Sequence, residues 1–354
     1  MTQSDSNVRR VDQDLIAQLD EIIAQMGGDS QSLSGKLIRE MMHTALKLIH
    51  DSADTGELKL MNRSLKELRY ALKVFRPYAD VRKISVFGSA RTPPDHPHFK
   101  AAEAFCRSIS ASGWMVITGA GGGIMHAGHG GAGREASFGV AIRLPFETTA
   151  NEIIAGDEKL ITFRYFFTRK LMFVSQADAV AMFPGGFGTL DEAYEVLTLV
   201  QTGKAVTIPL VFIDSPGDNY WQQWDEYVRR HLLGRGMISP EDLALYKVTD
   251  DVDEAVREVV RFYSNYHSQR YVREKLVLRI HRPLTEKQMD ALNDEFRDIL
   301  REGRIELTTP LKGEVQNLEL PRLALNFNRQ SHARLRMLID RINDMDADNQ
   351  GMRL

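Results

Sequence analysis

Residues 183–192 have the sequence Phe-Pro-Gly-Gly-Phe-Gly-Thr-Leu-Asp-Glu and join a buried strand to a helix. The apolar run from Asp178 to Phe183 predicts the strand, and the amphipathic run from Leu190 to Leu199 predicts the helix. Glycine permits backbone conformations closed to other residues and lets a ligand approach the main chain. The free amides and positive end of the helix favour an anion. The stretch therefore predicts a glycine-rich turn that binds a phosphate group.

The same stretch also matches a purely structural feature, the capping box. In that interpretation Thr189 would start the helix and Glu192 would bond back to the backbone at the helix start. We prefer the phosphate site, and the capping box stays open as the alternative.

Strands and helices alternate on both sides of this turn. Strands are predicted at 84–87, 114–118, 140–144, 178–183 and 208–213, and helices at 99–110, 124–135 and 190–199. Alternation of this kind indicates an α/β, Rossmann-like parallel sheet with helices on both faces, whose ligands bind beyond the carboxyl ends of the strands. Three glycine-bearing turns follow such strands, at 88–91, 119–123 and 183–188. Together they favour a nucleotide site more strongly than one glycine-rich loop could.

Two common classes of nucleotide chemistry do not fit these turns. Gly119-Ala120-Gly121-Gly122-Gly123 has the Gly-x-Gly spacing but follows the second strand, and no acidic residue closes a third strand where a ribose contact is expected. No Gly-Lys-Ser or Gly-Lys-Thr follows a glycine turn. Redox chemistry with NAD and hydrolysis of nucleoside triphosphates are therefore not expected.

Composition is that of a globular protein. The chain has 354 residues, 43% of them hydrophobic and 26% charged, with a net charge of -3. This charge gives no electrostatic reason to expect binding to nucleic acid or to an anionic membrane. Cys106 is the only cysteine, which excludes an intrachain disulfide and indicates an inert core thiol. No apolar leader or membrane-spanning run is found, so we expect a cytoplasmic protein.

The flanking segments differ in character from the centre. Residues 1–80 predict only helices, at 11–26, 34–49 and 63–75, and their apolar stripes need a partner surface on the central domain or on a second subunit. Residues 81–265 form the predicted catalytic domain, which ends in a helix at 250–263. Residues 266–354 predict a small α+β module of order βαββα, similar to the ferredoxin-like sandwiches that often bind small ligands or self-associate.

The glycine turns, taken in order, resemble a known family. Residues 183–192, preceded by Thr168-Arg169-Lys170, are similar to the Pro-Gly-Gly-x-Gly-Thr-x-x-Glu signature and upstream Arg-Lys pair of the LOG ("lonely guy") family. These proteins are nucleoside 5′-monophosphate phosphoribohydrolases, often mislabelled as lysine decarboxylases. The resemblance includes 85–91, 117–125 and 165–170 and covers roughly residues 80 to 235. The chain departs from the family pattern at Ala120, His126 and His129.

The resemblance implies cleavage of an AMP-like or cytokinin-like nucleotide to free base and ribose 5-phosphate, without a cofactor. Such a reaction passes through an oxocarbenium-like sugar, so a carboxylate is needed to stabilise positive charge and to activate water. Glu192 matches the glutamate of the signature, and Arg169 matches the catalytic arginine. The predicted substrate-binding residues are Gly88, Ser89, Gly121, Gly122, Lys170, Gly185, Gly186, Gly188 and Thr189.

The same residues bear on metal binding, on pyridoxal phosphate chemistry and on the assembly. His126 and His129 have a spacing that could present both to a metal, but no third ligand is visible nearby, and we predict no metal site. Pyridoxal phosphate needs a buried lysine that forms a Schiff base, and Lys170 beside Arg169 on a charged turn is a poor candidate for that role. Two alternative functions remain. One is a nonhydrolytic nucleotide or cofactor carrier, and the other is an interaction protein whose motif is only a helix cap. We expect a homodimer or a larger even-numbered assembly.

Overall fold

The computed structural model describes residues 3–143 and 150–351. The chain divides into two compact units, residues 1–67 and residues 68–354. Within the described ranges, no helix combines the length and apolar character that crossing a membrane requires.

The first unit is helical, as predicted. Helix α1 spans Gln3–Gln25, α2 spans Leu33–Lys47, and α3 spans Thr55–Phe75, continuing into the second unit. Ser32 caps α2 by accepting a hydrogen bond from the Gly35 amide, and Arg39 pairs with Asp20 of α1 at 2.7 Å. The third helix starts earlier than the predicted residue 63, because Asp54 caps its first turn by accepting a hydrogen bond from the Glu57 amide at 2.9 Å.

The second unit contains the predicted parallel sheet. Its seven strands lie in the order β4-β3-β2-β1-β5-β6-β7 and all pairs are parallel. The strands are β1 Lys83–Phe87, β2 Met115–Thr118, β3 Ser137–Ile142, β4 Leu160–Phe163, β5 Ala179–Met182, β6 Leu210–Ile213 and β7 Lys247–Thr249. The helices are α4 Pro97–Ala111, α5 Ile124–Ala132, α6 Phe166–Ser175, α7 Phe187–Gln201, α8 Tyr220–Tyr227 and α9 Val252–Arg261. The predicted α/β fold is confirmed.

Each face of this sheet has its own hydrophobic core. Val180 and Met182 of β5 pack in the core that includes residues of α6 and α7. The alternate residues Ala179 and Ala181 pack in the other core, with residues of α4, α5 and α9. Cys106 of α4 is fully buried there, and burial raises the pKa of its thiol, so it is the inert core thiol that was predicted.

The strand order creates one switch point in the sheet. After β1 the chain runs outward through β2, β3 and β4, and then returns to place β5 on the other side of β1. Helices on the two sides of such a point leave a crevice beyond the carboxyl ends of the strands. The turns after β1 and β5 therefore lie side by side, and the Ser89 amide donates a hydrogen bond to the Pro184 carbonyl at 3.1 Å.

A second, antiparallel sheet follows in the chain. Its strands lie in the order β10-β11-β9-β8 and comprise β8 Tyr266–Val272, β9 Lys275–Ile280, β10 Leu300–Thr308 and β11 Arg322–Phe327. Helices α10 Glu286–Glu295 and α11 His332–Gly351 pack against it around one core. The predicted βαββα order is present, with β8 as an additional first strand.

Several boundaries differ from the sequence predictions. Helix α7 begins at Phe187 rather than at residue 190, and strands β4 and β7 and helix α6 were not predicted. The predicted strand 140–144 corresponds to β3 at Ser137–Ile142, and its predicted last residue, Leu144, lies outside the described residues.

Candidate active site

A cleft of about 1240 Å³ opens beyond the carboxyl ends of β1, β2 and β5. The three predicted glycine turns meet there. Nine of the eleven predicted site residues line the cleft, namely Gly88, Ser89, Gly121, Arg169, Gly185, Gly186, Gly188, Thr189 and Glu192. The other two, Gly122 and Lys170, are not among the residues that line it.

The turn after β5 leaves the start of α7 without a side-chain cap. Gly186 is the N-cap residue, and the first helical hydrogen bond runs from the Thr189 amide to the Gly186 carbonyl at 3.0 Å. The amides of Phe187 and Gly188 precede that bond and are available to an anion. Thr189 and Glu192 lie inside the helix instead of at its cap, so the capping-box interpretation is wrong.

Close packing fixes this turn against its neighbours. A Cβ on Gly185 would lie 2.1 Å from Thr189 Oγ1, and one on Gly88 would lie 2.6 Å from the Ile124 side chain. The Tyr220 hydroxyl donates a hydrogen bond to the Gly185 carbonyl at 2.7 Å. Tyr220 was not singled out from the sequence, because only the return of the chain after β6 brings it to this turn.

Glu192 is a buried carboxyl group in the wall of the cleft. Only 6% of the residue is exposed, and its Oε2 atom has no hydrogen-bond partner among the described residues. Burial raises the pKa of Glu192 to about 7, although the positive charges of Lys170 and Arg169 partly oppose the shift. A carboxyl group with such a pKa can exchange protons near neutral pH.

Arg169 reaches the same cleft from α6. Its Nε donates a hydrogen bond to the Val140 carbonyl at 2.9 Å, and its guanidinium lies 5.1 Å from the centre of the Phe173 ring. A Cβ on Gly119 would lie 2.5 Å from Arg169 Nη2. The glycine at the end of β2 therefore provides the space that the guanidinium occupies.

Lys170 points to the carboxylates of α7. Its Nζ lies 2.8 Å from Asp191 Oδ2, 2.7 Å from Glu195 Oε2 and 4.0 Å from Glu192 Oε2. The structure places it beside the predicted catalytic carboxylate.

Comparison with known proteins shows what the central domain is similar to. Residues 122–259 match the protein family described as "Possible lysine decarboxylase", the label under which LOG proteins are often found. This match supports the resemblance of the central domain to the LOG family. A search of curated proteins gave no significant match.

Solved structures similar to the central domain were also found. The molybdenum cofactor carrier protein of Chlamydomonas reinhardtii is 19% identical, with a TM-score of 0.36 over 51% of this chain and 97% of that chain. The molybdenum cofactor binding protein of Rippkaea orientalis is 17% identical, with a TM-score of 0.35 over 50% and 94%. DNA processing protein A of Helicobacter pylori is 11% identical, with a TM-score of 0.37 over 52% and 83%.

The positions at which the central domain departs from the LOG pattern have structural roles. Ala120 takes a left-handed conformation, with φ of 63°, at the place where the family has glycine. The His129 Nε2 atom lies 2.9 Å from Thr118 Oγ1 and 3.1 Å from the Phe138 carbonyl, and its Nδ1 contacts the amide of Asn151. His129 is therefore a buried brace behind the second glycine turn.

The second histidine of the pair faces a different environment. His126 Nε2 lies 3.1 Å from Glu152 Oε1, and its ring contacts the Phe99 ring. Among the described residues, no group of three or more His, Cys, Asp or Glu side chains is arranged to hold a metal ion.

Proposed function

We propose that the central domain, like the LOG proteins it resembles, hydrolyses the N-glycosidic bond of a nucleoside 5′-monophosphate. The observation that carries this proposal is one cleft that combines an uncapped helix start, suited to a phosphate, with the buried and unpartnered carboxyl oxygen of Glu192. The apolar side chains of Met125, Ile142 and Leu160 also line the cleft and suit a planar base, AMP-like or cytokinin-like in the first instance.

Each group has a chemical task in this proposal. The amides at the start of α7 and the Thr189 hydroxyl bind the 5′-phosphate, which positions the sugar. The Glu192 carboxylate stabilises positive charge on the ribose ring and accepts a proton from the attacking water. The water oxygen bonds to C1′, the C1′–N bond breaks with its electron pair going to the base, and the proton passes to that base.

The positive charge of Arg169 supports the same step. Its guanidinium is anchored on the Val140 carbonyl and lowers the cost of an ionised Glu192. Protonation of Glu192 removes the proton acceptor. Turnover should therefore fall as the pH is lowered through about 7.

The test is a screen of nucleoside 5′-monophosphates, including N6-substituted adenine nucleotides, for release of free base. We expect release by the wild-type protein and its loss in Glu192→Gln, with nucleotide binding retained, because the charge and not the shape is needed in the transition state. Glu306→Gln is the matched control, since Glu306 pairs with Lys275 in the second sheet.

The outcomes separate the alternatives. Nucleotide binding without release of base would favour a carrier, and no binding at all would contradict the phosphate site. The second comparison is between the 5′-monophosphate and the corresponding nucleoside. AMP should be a far better substrate than adenosine, because the binding energy of the phosphate positions the sugar. Equal efficiency on both would also contradict the role of the turn.

A further inference from the structure

Three carboxylates of α7 surround the ammonium group of one lysine. Glu195 lies three residues after Glu192 and four after Asp191, which places its side chain next to each of them on the helix surface. Lys170 enters this group from α6, with only 14% of its side chain exposed. Lys170 is not among the residues that line the cleft. Its nearest charged partners are these three carboxylates of α7.

The distances within the group are unequal. Lys170 Nζ is at hydrogen-bonding distance from Asp191 and Glu195, at 2.8 and 2.7 Å, but 4.0 Å from Glu192 Oε2. Hydrogen bonds between ammonium groups and carboxylates have lengths of about 2.7 to 2.9 Å. At 4.0 Å the ammonium still acts electrostatically on Glu192, but it does not occupy an oxygen lone pair.

A free ammonium would behave differently. Lysine is a flexible, compact charge, and without its two other partners it would close on the buried Glu192 carboxylate, where a charge-assisted bond is strongest. That bond would stabilise the ionised carboxylate and would also block its oxygen as a proton acceptor. The site needs the first effect and is harmed by the second.

Resting on the proposed function, we propose that Asp191 and Glu195 are positioning residues that tether Lys170 beside Glu192. The tether lets the lysine support the charge of Glu192 while Oε2 stays free to accept a proton from water. Lys170 is then an electrostatic partner of the catalytic carboxylate, and its role does not require contact with the substrate.

The charged groups around Glu192 can be assigned by sign. Burial raises the pKa of Glu192 most strongly, Lys170 and Arg169 of α6 lower it, and Glu195 and Asp191 of α7 raise it. Arg91 and Arg143 also line the cleft. Burial opposes the charge of Lys170, but the hydrogen bonds that its ammonium donates to Asp191 and Glu195 leave the pKa of Lys170 above its usual value, so it stays protonated.

The tether predicts opposite effects of two substitutions on the pH profile of turnover. In Lys170→Met the supporting charge is lost, and the midpoint of the acid limb should rise by roughly one pH unit. In Glu195→Gln the midpoint should fall, because the negative charge of Glu195 is lost and the lysine is released onto Glu192. The release itself should be seen in the plateau kcat, which should drop by roughly tenfold because the lysine then occupies the proton acceptor. KM for the nucleotide should change little in either variant, because neither side chain binds it.

The controls use an exposed pair of the same chemistry. Lys275→Met and Glu306→Gln break the contact at 3.1 Å in the second sheet and should leave the profile unchanged. Asp191→Asn is a second release variant at a more exposed position, with 63% of the side chain accessible, in case Glu195→Gln folds poorly. It should shift the midpoint in the same direction as Glu195→Gln.

A raised KM for Lys170→Met with an unchanged midpoint would overturn the proposal and make Lys170 a substrate-binding residue. Shifts of the same sign in Lys170→Met and Glu195→Gln, or no shift in either, would also overturn it. The titration of Glu192 can be followed by its carboxyl infrared band, with Glu192→Gln as the blank. This readout tests the tether even if the wild-type protein releases no base. Absence of base release would refute the proposed function but not the tether.

Discussion

At the scale of single residues, two glycines of the second turn should respond differently to the same substitution. A Cβ on Gly119 would meet the far ends of two flexible side chains, Arg169 Nη2 at 2.5 Å and Met125 Sδ at 2.7 Å. A Cβ on Gly123 would lie 2.2 Å from the Ser89 carbonyl oxygen, at a residue with φ of 57°. Gly119→Ala should therefore displace Arg169 and preserve the fold, and Gly123→Ala should destabilise the fold.

Thermal unfolding and turnover measure the two effects separately. We expect Gly119→Ala to lie within about 1 kcal/mol of the wild type and to lose most of its activity, because the side-chain ends can move but the guanidinium is displaced. Gly123→Ala should lose a few kcal/mol of stability, since a backbone oxygen cannot move as easily. Full activity in Gly119→Ala would show that the position of Arg169 is not critical.

The catalytic candidates could be predicted from the sequence, but their surroundings could not. Glu192 and Arg169 follow from the resemblance of an ordered motif to the LOG signature. The brace formed by His129, and the tether of Lys170 by Asp191 and Glu195, depend on elements that only the folded chain brings together. A motif of ten residues cannot specify contacts made by side chains outside it.

At the scale of elements, the segment between β10 and β11 is held by a buried charge. Glu314 Oε1 lies 2.9 Å from Arg279 Nη2, and Oε2 lies 2.8 Å from Arg322 Nε, with all three side chains almost inaccessible. Removing the charge of Glu314 would leave two buried guanidinium groups with only neutral partners at this point. Glu314→Gln should cost about 3 to 5 kcal/mol of unfolding free energy.

The matched variant lies in the same sheet. Glu306→Gln breaks the exposed contact with Lys275 and should cost less than about 1 kcal/mol. Urea denaturation of both variants gives the comparison directly. Similar losses in the two would mean that burial does not control the energy of the Glu314 cluster.

Prediction of the elements succeeded where apolar residues were contiguous or periodic. The buried strands β1, β2, β5 and β6 were recognised on this basis. Strand β8 has the sequence Tyr-His-Ser-Gln-Arg-Tyr-Val, which is too polar for that signal, and β7 has only three residues. Such strands form because neighbouring strands offer hydrogen bonds, which is a tertiary effect that local sequence does not record.

At the scale of the whole molecule, we propose that the protein is at least a dimer. Helix α6 exposes three large apolar side chains next to the predicted catalytic arginine, those of Phe166, Phe167 and Leu171, each about half accessible. Of the stripe predicted on α3, Leu65 and Leu72 are also exposed. Large apolar side chains exposed on one helix, as on α6, are typical of a subunit contact.

Light scattering at micromolar protein concentration tests the assembly. We expect a dimer or a larger even-numbered species in the wild type, and a smaller mass in the double variant Phe167→Ser and Leu171→Ser. These two side chains do not line the cleft, so any loss of activity would be traced to the assembly. A monomeric mass together with full activity would contradict the proposal.

The buried carboxyl group of Glu192 also has a thermodynamic consequence for the folded chain. Its pKa is about 7 in the folded protein against a usual value of 4.5, so the native state binds this proton more tightly than the unfolded state. At about 1.4 kcal/mol per pKa unit, ionising Glu192 lowers the free energy of unfolding by roughly 3 kcal/mol. The full loss applies above pH 7, and it disappears as the pH falls towards 4.5. Conditions that ionise Glu192 for hydrolysis are thus those in which it destabilises the native state most.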